Sequence, residues 1–277
     1  MSLHDDYARL TPVEIAFPDR RALEELSAEV RKEAERRGVD DTTSEAFMTL
    51  SMVGELARTM RGPDAPPEST VPFAMLLYHS VHFLRAGRPL YLLDTGATRA
   101  IVSTSPDAGG PHPPTSAGYL QLPQHLVWTR STQSARPPDE ARVPESIDGA
   151  FWTLSSSGML HALPVSGVLP ERPGFGALPL PPAPIADAHQ WLDAEVRASG
   201  GDFRSTLPGS ELDALYEVEA AGEVLKLLAR FFVLAESGHA RLTACSGAEP
   251  TGVAGAGKPA GAPRPSALPY TRVSLGG

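Results

Sequence analysis

Cysteine is nearly absent: Cys245 stands alone in 277 residues, which excludes an intramolecular disulfide and any thiolate cluster around a metal. A reducing compartment is the simplest setting for such a chain. Lysine is scarce as well, with only Lys32, Lys226 and Lys258, so arginine carries most of the positive charge. The formal net charge is −9 and no Lys/Arg cluster interleaved with aromatics occurs, so no nucleic-acid partner is expected. Hydrophobic runs are short. The longest, VLKLLARFFVLA (224–235), is interrupted by Lys226 and Arg230 and falls below the ~20 residues that a membrane span needs. The opening MSLHDDYARL is acidic where a secretory leader would be basic. These absences together lead to the expectation of a soluble, cytoplasmic protein with no membrane partner.

What is present is enough for a core. Hydrophobic residues make up 42% of the chain, and its 28 prolines and 25 glycines concentrate in loops and near the C-terminus. Residues 19–38 place Leu23, Leu26, Val30 and Ala34 at helical spacing between a capping Asp19 and Gly38. Thr42 and Glu45 make a capping box for a second helix carrying Phe47, Leu50, Val53, Leu56 and Met60. The third, from about Thr70 to Ala86, is apolar on nearly every side and is expected to be enclosed.

After Gly87 the pattern changes to short β-favouring runs: PLYLLD, TRAIVST, GYLQLPQHLVWTR, GAFWTL, GMLHALPV and FGALPL. SSSG (155–158) reads as a hairpin loop, and Phe151 and Trp152 read as core. Helix returns near Asp187 and again over 210–236. The expected fold class is therefore α+β: an N-terminal helical layer, a central antiparallel sheet or small barrel, C-terminal helices and a flexible Gly/Ala/Pro-rich tail. Residues 1–238 read as one integrated domain, with helices about 19–86, a β region about 89–180 and helices about 187–236. Residues 239–277 read as a low-complexity tail whose PYTRVSL end alternates like a strand that joins a sheet edge in its own or another subunit.

Three motifs bear on chemistry. Asp94-Thr95-Gly96 has two readings: the turn of a hairpin between Tyr91–Leu93 and Arg99–Val102, which the local residue types favour, or a catalytic aspartate. LLDTGAT (92–98) resembles the LLDTGA segment of retropepsin-type aspartic peptidases over about seven residues. The resemblance implies a homodimer in which Asp94 of each subunit shares a proton with its mate, because only one copy of the motif is present. GVAGAGKP (252–259) matches a phosphate loop only as far as its lysine, since Pro259 stands where a Ser or Thr should bind Mg²⁺. His79 and His82, three apart on one helix, face the same way, with His125 or His161 as a distant third partner; packing is the preferred reading, and neither a metal nor a cofactor is expected. The functional expectation is accordingly a non-catalytic protein-interaction or regulatory module. Its partner is another protein of unspecified identity, a homodimer remains open, and the alternative is the dimeric peptidase using Asp94.

Overall fold

The computed structural model describes residues 7–36, 67–103, 112–124, 126–130, 144–155, 158–169, 172–177, 183–184, 224–225, 227–248 and 264–275. A short helix, α1 (Pro12–Ala16), comes first, followed by the longer α2 (Arg20–Arg36) and α3 (Pro67–Arg85). Each start has a chemical cause. The Thr11 hydroxyl accepts from Glu14 N–H while the Glu14 carboxylate takes Thr11 N–H, a complete capping box for α1. The Asp19 carboxylate accepts from Arg21 N–H at 2.9 Å and opens α2, as its sequence position suggests. α3 ends where Gly87 takes a positive φ of 85° and Arg88 N–H returns to the Phe83 carbonyl. The helix expected over 42–60 and the one near Asp187 lie outside the described residues.

The sheet is mixed and open, which corrects the expectation of an antiparallel sheet or barrel. Its central path runs β6 (Arg172–Ala177), β5 (Met159–Leu169), β4 (Pro144–Leu154), β2 (Ala117–Gln121), β1 (Leu90–Leu93), β9 (Tyr270–Leu275) and β8 (Ala240–Cys245). β1 (Leu90–Leu93) lies between two parallel neighbours, β2 (Ala117–Gln121) and β9 (Tyr270–Leu275). Parallel neighbours cannot be joined by a hairpin, and the chain crosses from β1 to β2 through α4 (Thr95–Ser103). TRAIVST, expected as a strand, is therefore helix over its described residues 98–103. Its β-branched residues favour a strand locally, but Asp94 caps the helix and Ala97 and Ile101 give it a buried side.

Antiparallel pairing completes both flanks. β2 pairs with β4 (Pro144–Leu154), β4 with β5 (Met159–Leu169), and β5 with β6 (Arg172–Ala177). The short β3 (Trp128–Arg130) and β7 (Ala183–Pro184) attach to β4 and β5. The turn between β4 and β5 is the expected one at 155–158, where Gly158 has φ 81° and Ser155 N–H reaches the Met159 carbonyl. On the other flank β8 (Ala240–Cys245) pairs with β9 in a six-residue register without a bulge.

Successive strand residues point to opposite faces, and both faces are covered. Leu90, Tyr119, Phe151 and Leu163 form a row of paired positions beneath α1, α2 and α3, packed with Phe73, Leu76, Leu77 and Phe83. Tyr91, Leu120, Trp152 and Ala162 face the other way, against α4 and the helical residues 227–236, here α5, whose Leu228, Phe231 and Phe232 are buried. Two glycines make room for the largest rings. A Cβ on Gly118 would lie 2.3 Å from the Trp152 ring, and one on Gly149 would lie 2.5 Å from the Tyr119 hydroxyl. The Trp152 indole N–H is satisfied by the Thr115 carbonyl at 3.0 Å.

Residues 9–14 are fastened to residues 264–267, which lead into β9. Arg9 bridges Pro265, Leu10 N–H donates to the Arg264 carbonyl, and the Glu14 carboxylate accepts from both the Ser266 hydroxyl and Ala267 N–H. The segment expected as a tail thus contains an interior strand, β9, and a strand, β8, that stands at the sheet's edge among the described residues. The Gly/Ala-rich stretch 249–263, which holds the phosphate-loop lookalike, lies outside the described residues.

Candidate functional site

Asp94 sits at the carboxyl end of β1, and its groups are engaged in starting α4. Its Oδ1 accepts from Ala97 N–H at 2.7 Å, and its carbonyl accepts from Thr98 N–H and the Thr98 hydroxyl. Its own N–H donates to the Val273 carbonyl, joining β1 to β9. An Asp in this position satisfies one of the orphan N–H groups of a helix start and complements its positive end. Thr95 and Gly96 are the first residues of the helix, so the motif is neither a hairpin turn nor part of a β loop.

Histidines gather on the α3 side of the sheet. Tyr78 of α3 packs against His79, His82 and, across the interface, His161 of β5, at ring-centroid distances of 5.2, 4.6 and 5.4 Å. His79 is 1% exposed, stacks on Phe151, and shares a 3.2 Å hydrogen bond with the Thr153 hydroxyl through Nδ1. Its Nε2 has no hydrogen-bond partner among the described residues. Burial lowers its pKa well below the ordinary value, and the positive charges that His161 and His82 would carry push the same way. Burial likewise pulls His82 down to about 3, with Arg85 and His161 adding to the effect. Both are neutral side chains at pH 7. Spacing brought His79 and His82 under consideration together, with His161 as one of two distant third candidates, and the structure gathers these three around one tyrosine. Among the described residues, however, no group of three or more His, Cys, Asp or Glu is arranged to hold a metal ion. His125 lies outside the described residues.

A second polar group lies below the carboxyl end of β2 and was not singled out from sequence. The Arg9 guanidinium is buried, donates to the Leu122 carbonyl at 2.8 Å and to the Asp148 carbonyl at 3.3 Å, and stands 3.7 Å from the Asp148 carboxylate. The Gln121 side-chain amide pairs with the Arg9 backbone in both directions, at 2.7 and 3.1 Å. Tyr119 points its hydroxyl into this region, and burial raises its pKa, with Asp148 adding to the rise and Arg9 opposing it. The bonds of Arg9 and Gln121 run within the chain and tie residue 9 to β2 and β4. They give the group a fastening role.

The remaining feature is the free flank of β8. Among the described residues β8 has one strand neighbour, β9, and residues 241–244 are exposed. The direction of its peptide groups follows from two observations. Val273 offers its carbonyl to Asp94 on the β1 side, so residues 270, 272 and 274 of β9 face β8, where they pair with Cys245, Thr243 and Arg241. The 3.4 Å bond from the Ser274 hydroxyl to the Arg241 carbonyl agrees. Ala240, Leu242 and Ala244 therefore present their N–H and C=O groups outward. Leu242 is 45% exposed and lies opposite Val273, on the α4 side, where Leu275 is also exposed beside the start of α4. The strand ARLTAC has no Pro, no acid and no bulge, and Arg241 is its one charged residue, so few of the devices that commonly blunt a sheet edge are present.

Comparison with protein-family models gives no match for this chain, and comparison with curated proteins gives none either. Among the described residues no helix is long and apolar enough to cross a membrane.

Proposed function

We propose that the chain is a non-catalytic protein-interaction module of the cell interior, and that the outer edge of β8 is where it receives a partner. The observation that carries this reading is the row of outward peptide groups at Ala240, Leu242 and Ala244 on a strand without Pro, acid or bulge and with an exposed leucine at its centre. An extended segment added there gains main-chain hydrogen bonds along its length, and side chains on the α4 side gain contact with Leu242. The strand expected to act as donor, PYTRVSL, is β9 and already has neighbours on both sides, so the available edge passes to β8. Cys245, half-buried at the end of this strand, suits a reducing compartment.

The peptidase alternative gains no support from the geometry, because the Asp94 carboxylate caps its own helix. The test is affinity capture of interacting proteins with wild type and with Ala244→Pro, whose lost N–H faces away from β9. Near-ultraviolet circular dichroism establishes that the variant keeps its packing. A partner retained by wild type and lost with Ala244→Pro is the expected result; the same set retained by both removes β8 as the receiving edge.

A further inference from the structure

We infer that the occupant of the β8 edge is a second copy of this chain, paired antiparallel across a two-fold axis at Leu242; this rests on β8 being the receiving edge. A two-fold axis normal to an antiparallel sheet makes one residue its own partner. The outward-facing residues Ala240, Leu242 and Ala244 are symmetric about Leu242. With the axis there, Leu242 pairs with Leu242 of the other copy and Ala240 with Ala244 at both ends. All three outward residues then exchange both of their bonds, giving about six hydrogen bonds across the junction. Moving the axis to Thr243 carries Ala240 opposite residue 246, beyond the strand's end, and moving it to Arg241 leaves Ala244 opposite residue 238.

Side chains agree with the same register. Leu242 meets its own copy on the α4 side, where the alanines at 240 and 244 leave room for the two isobutyl groups. On the other side Arg241 lies opposite Thr243, so no acidic partner is required and no like charges are directly opposed. The two sheets join into one, with β8 and its copy at the centre. A junction of one six-residue strand is small beside ordinary stable interfaces, so the dimer is weak and depends on concentration.

The experiment has two arms, both on the full chain. Sedimentation velocity over a wide concentration range should show wild type passing from monomer to dimer, with Ala244→Pro weakening association at least tenfold and added salt strengthening it, since each copy carries a net charge of −9. In a Cys245→Ser background, Arg241→Cys and Thr243→Cys, one of them size-tagged, are mixed and oxidised. The proposed register places 241 and 243 of opposite copies about 4.5 Å apart at Cα, within disulfide reach, so the mixed disulfide should dominate over either symmetric one. A monomer at every concentration, or symmetric disulfides as abundant as the mixed one, overturns the proposal. If the chain stays monomeric while a captured protein is lost with Ala244→Pro, the second copy is refuted and the receiving edge stands. If neither dimer nor edge-dependent capture is seen, both readings fall.

Discussion

Acidification should unfold this protein through His79 and His82, and the size of the effect can be worked from their burial. In the unfolded chain each imidazole titrates near 6.5; in the folded chain His82 is pulled down to about 3 and His79 also lies well below its ordinary value. Above pH 6.5 both states hold neutral rings and the stability is complete. As pH falls below 6.5 the unfolded chain takes up protons that the folded chain refuses, and stability declines until the folded His82 titrates. Each buried histidine withdraws about 2 kcal/mol between pH 7.5 and pH 5, and the pair about 4 kcal/mol. That is a large share of the roughly 5–15 kcal/mol that holds a typical domain folded. The assay is urea denaturation at half-unit pH steps, stopping at pH 5 before most carboxylates titrate. His79→Gln and His82→Gln should each be less sensitive to acid than wild type, whatever their stability at pH 7.5, because each removes one of the two titrating rings. A wild-type loss below about 1 kcal/mol over this range, or acid sensitivity unchanged in both variants, would refute the reasoning, since burial against Tyr78, Phe151 and His161 would then not be holding the rings neutral.

Three further outcomes follow from the packing. Gly118→Ala places a methyl group against the Trp152 ring and should lose about 1–3 kcal/mol in the same urea assay, with the tryptophan near-ultraviolet signal altered; an unperturbed midpoint would mean that the indole is held more loosely than the 2.3 Å approach implies. Arg9→Ala removes the guanidinium from the Asp148 carboxylate and the Leu122 carbonyl and should cost about 3 kcal/mol or more, whereas a loss under about 1 kcal/mol would show that the N-terminal fastening is dispensable. Asp94→Asn should be nearly neutral and Asp94→Ala should cost about 1 kcal/mol, the ranking of a helix cap; equal losses in the two variants would contradict that role.

How far the sequence foretold this architecture depended on whether the governing contacts were local. α2 and α3 were legible because Asp19, the apolar spacing of α2 and Gly87 are signals within one helix. The β4–β5 hairpin was legible for the same reason, its turn lying between two alternating runs. The order of strands was not legible, because residue spacing along a strand says nothing about which strand lies beside it. TRAIVST shows the cost: read alone its Thr, Ile and Val favour a strand, but β1 and β2 run parallel and the chain between them must cross over. HARLTAC was passed over within a tail judged by its composition, and it became β8, the edge on which the functional reading depends. At the candidate sites, the three-residue spacing of His79 and His82 pointed to a shared face, and His161 joined them only through the sheet. Arg9 carried no signal at all, since its partners at 121, 122 and 148 are more than a hundred residues away.

The insertion of β9 beside β1 sets a timetable for biosynthesis. Tyr91 emerges early and its neighbour Thr271 only about 180 residues later, which at ordinary elongation rates is roughly ten to forty seconds. Throughout that interval one flank of β1 is bare on the ribosome, and the nascent chain is exposed to strands from neighbouring polysomal copies before its own closing strand arrives.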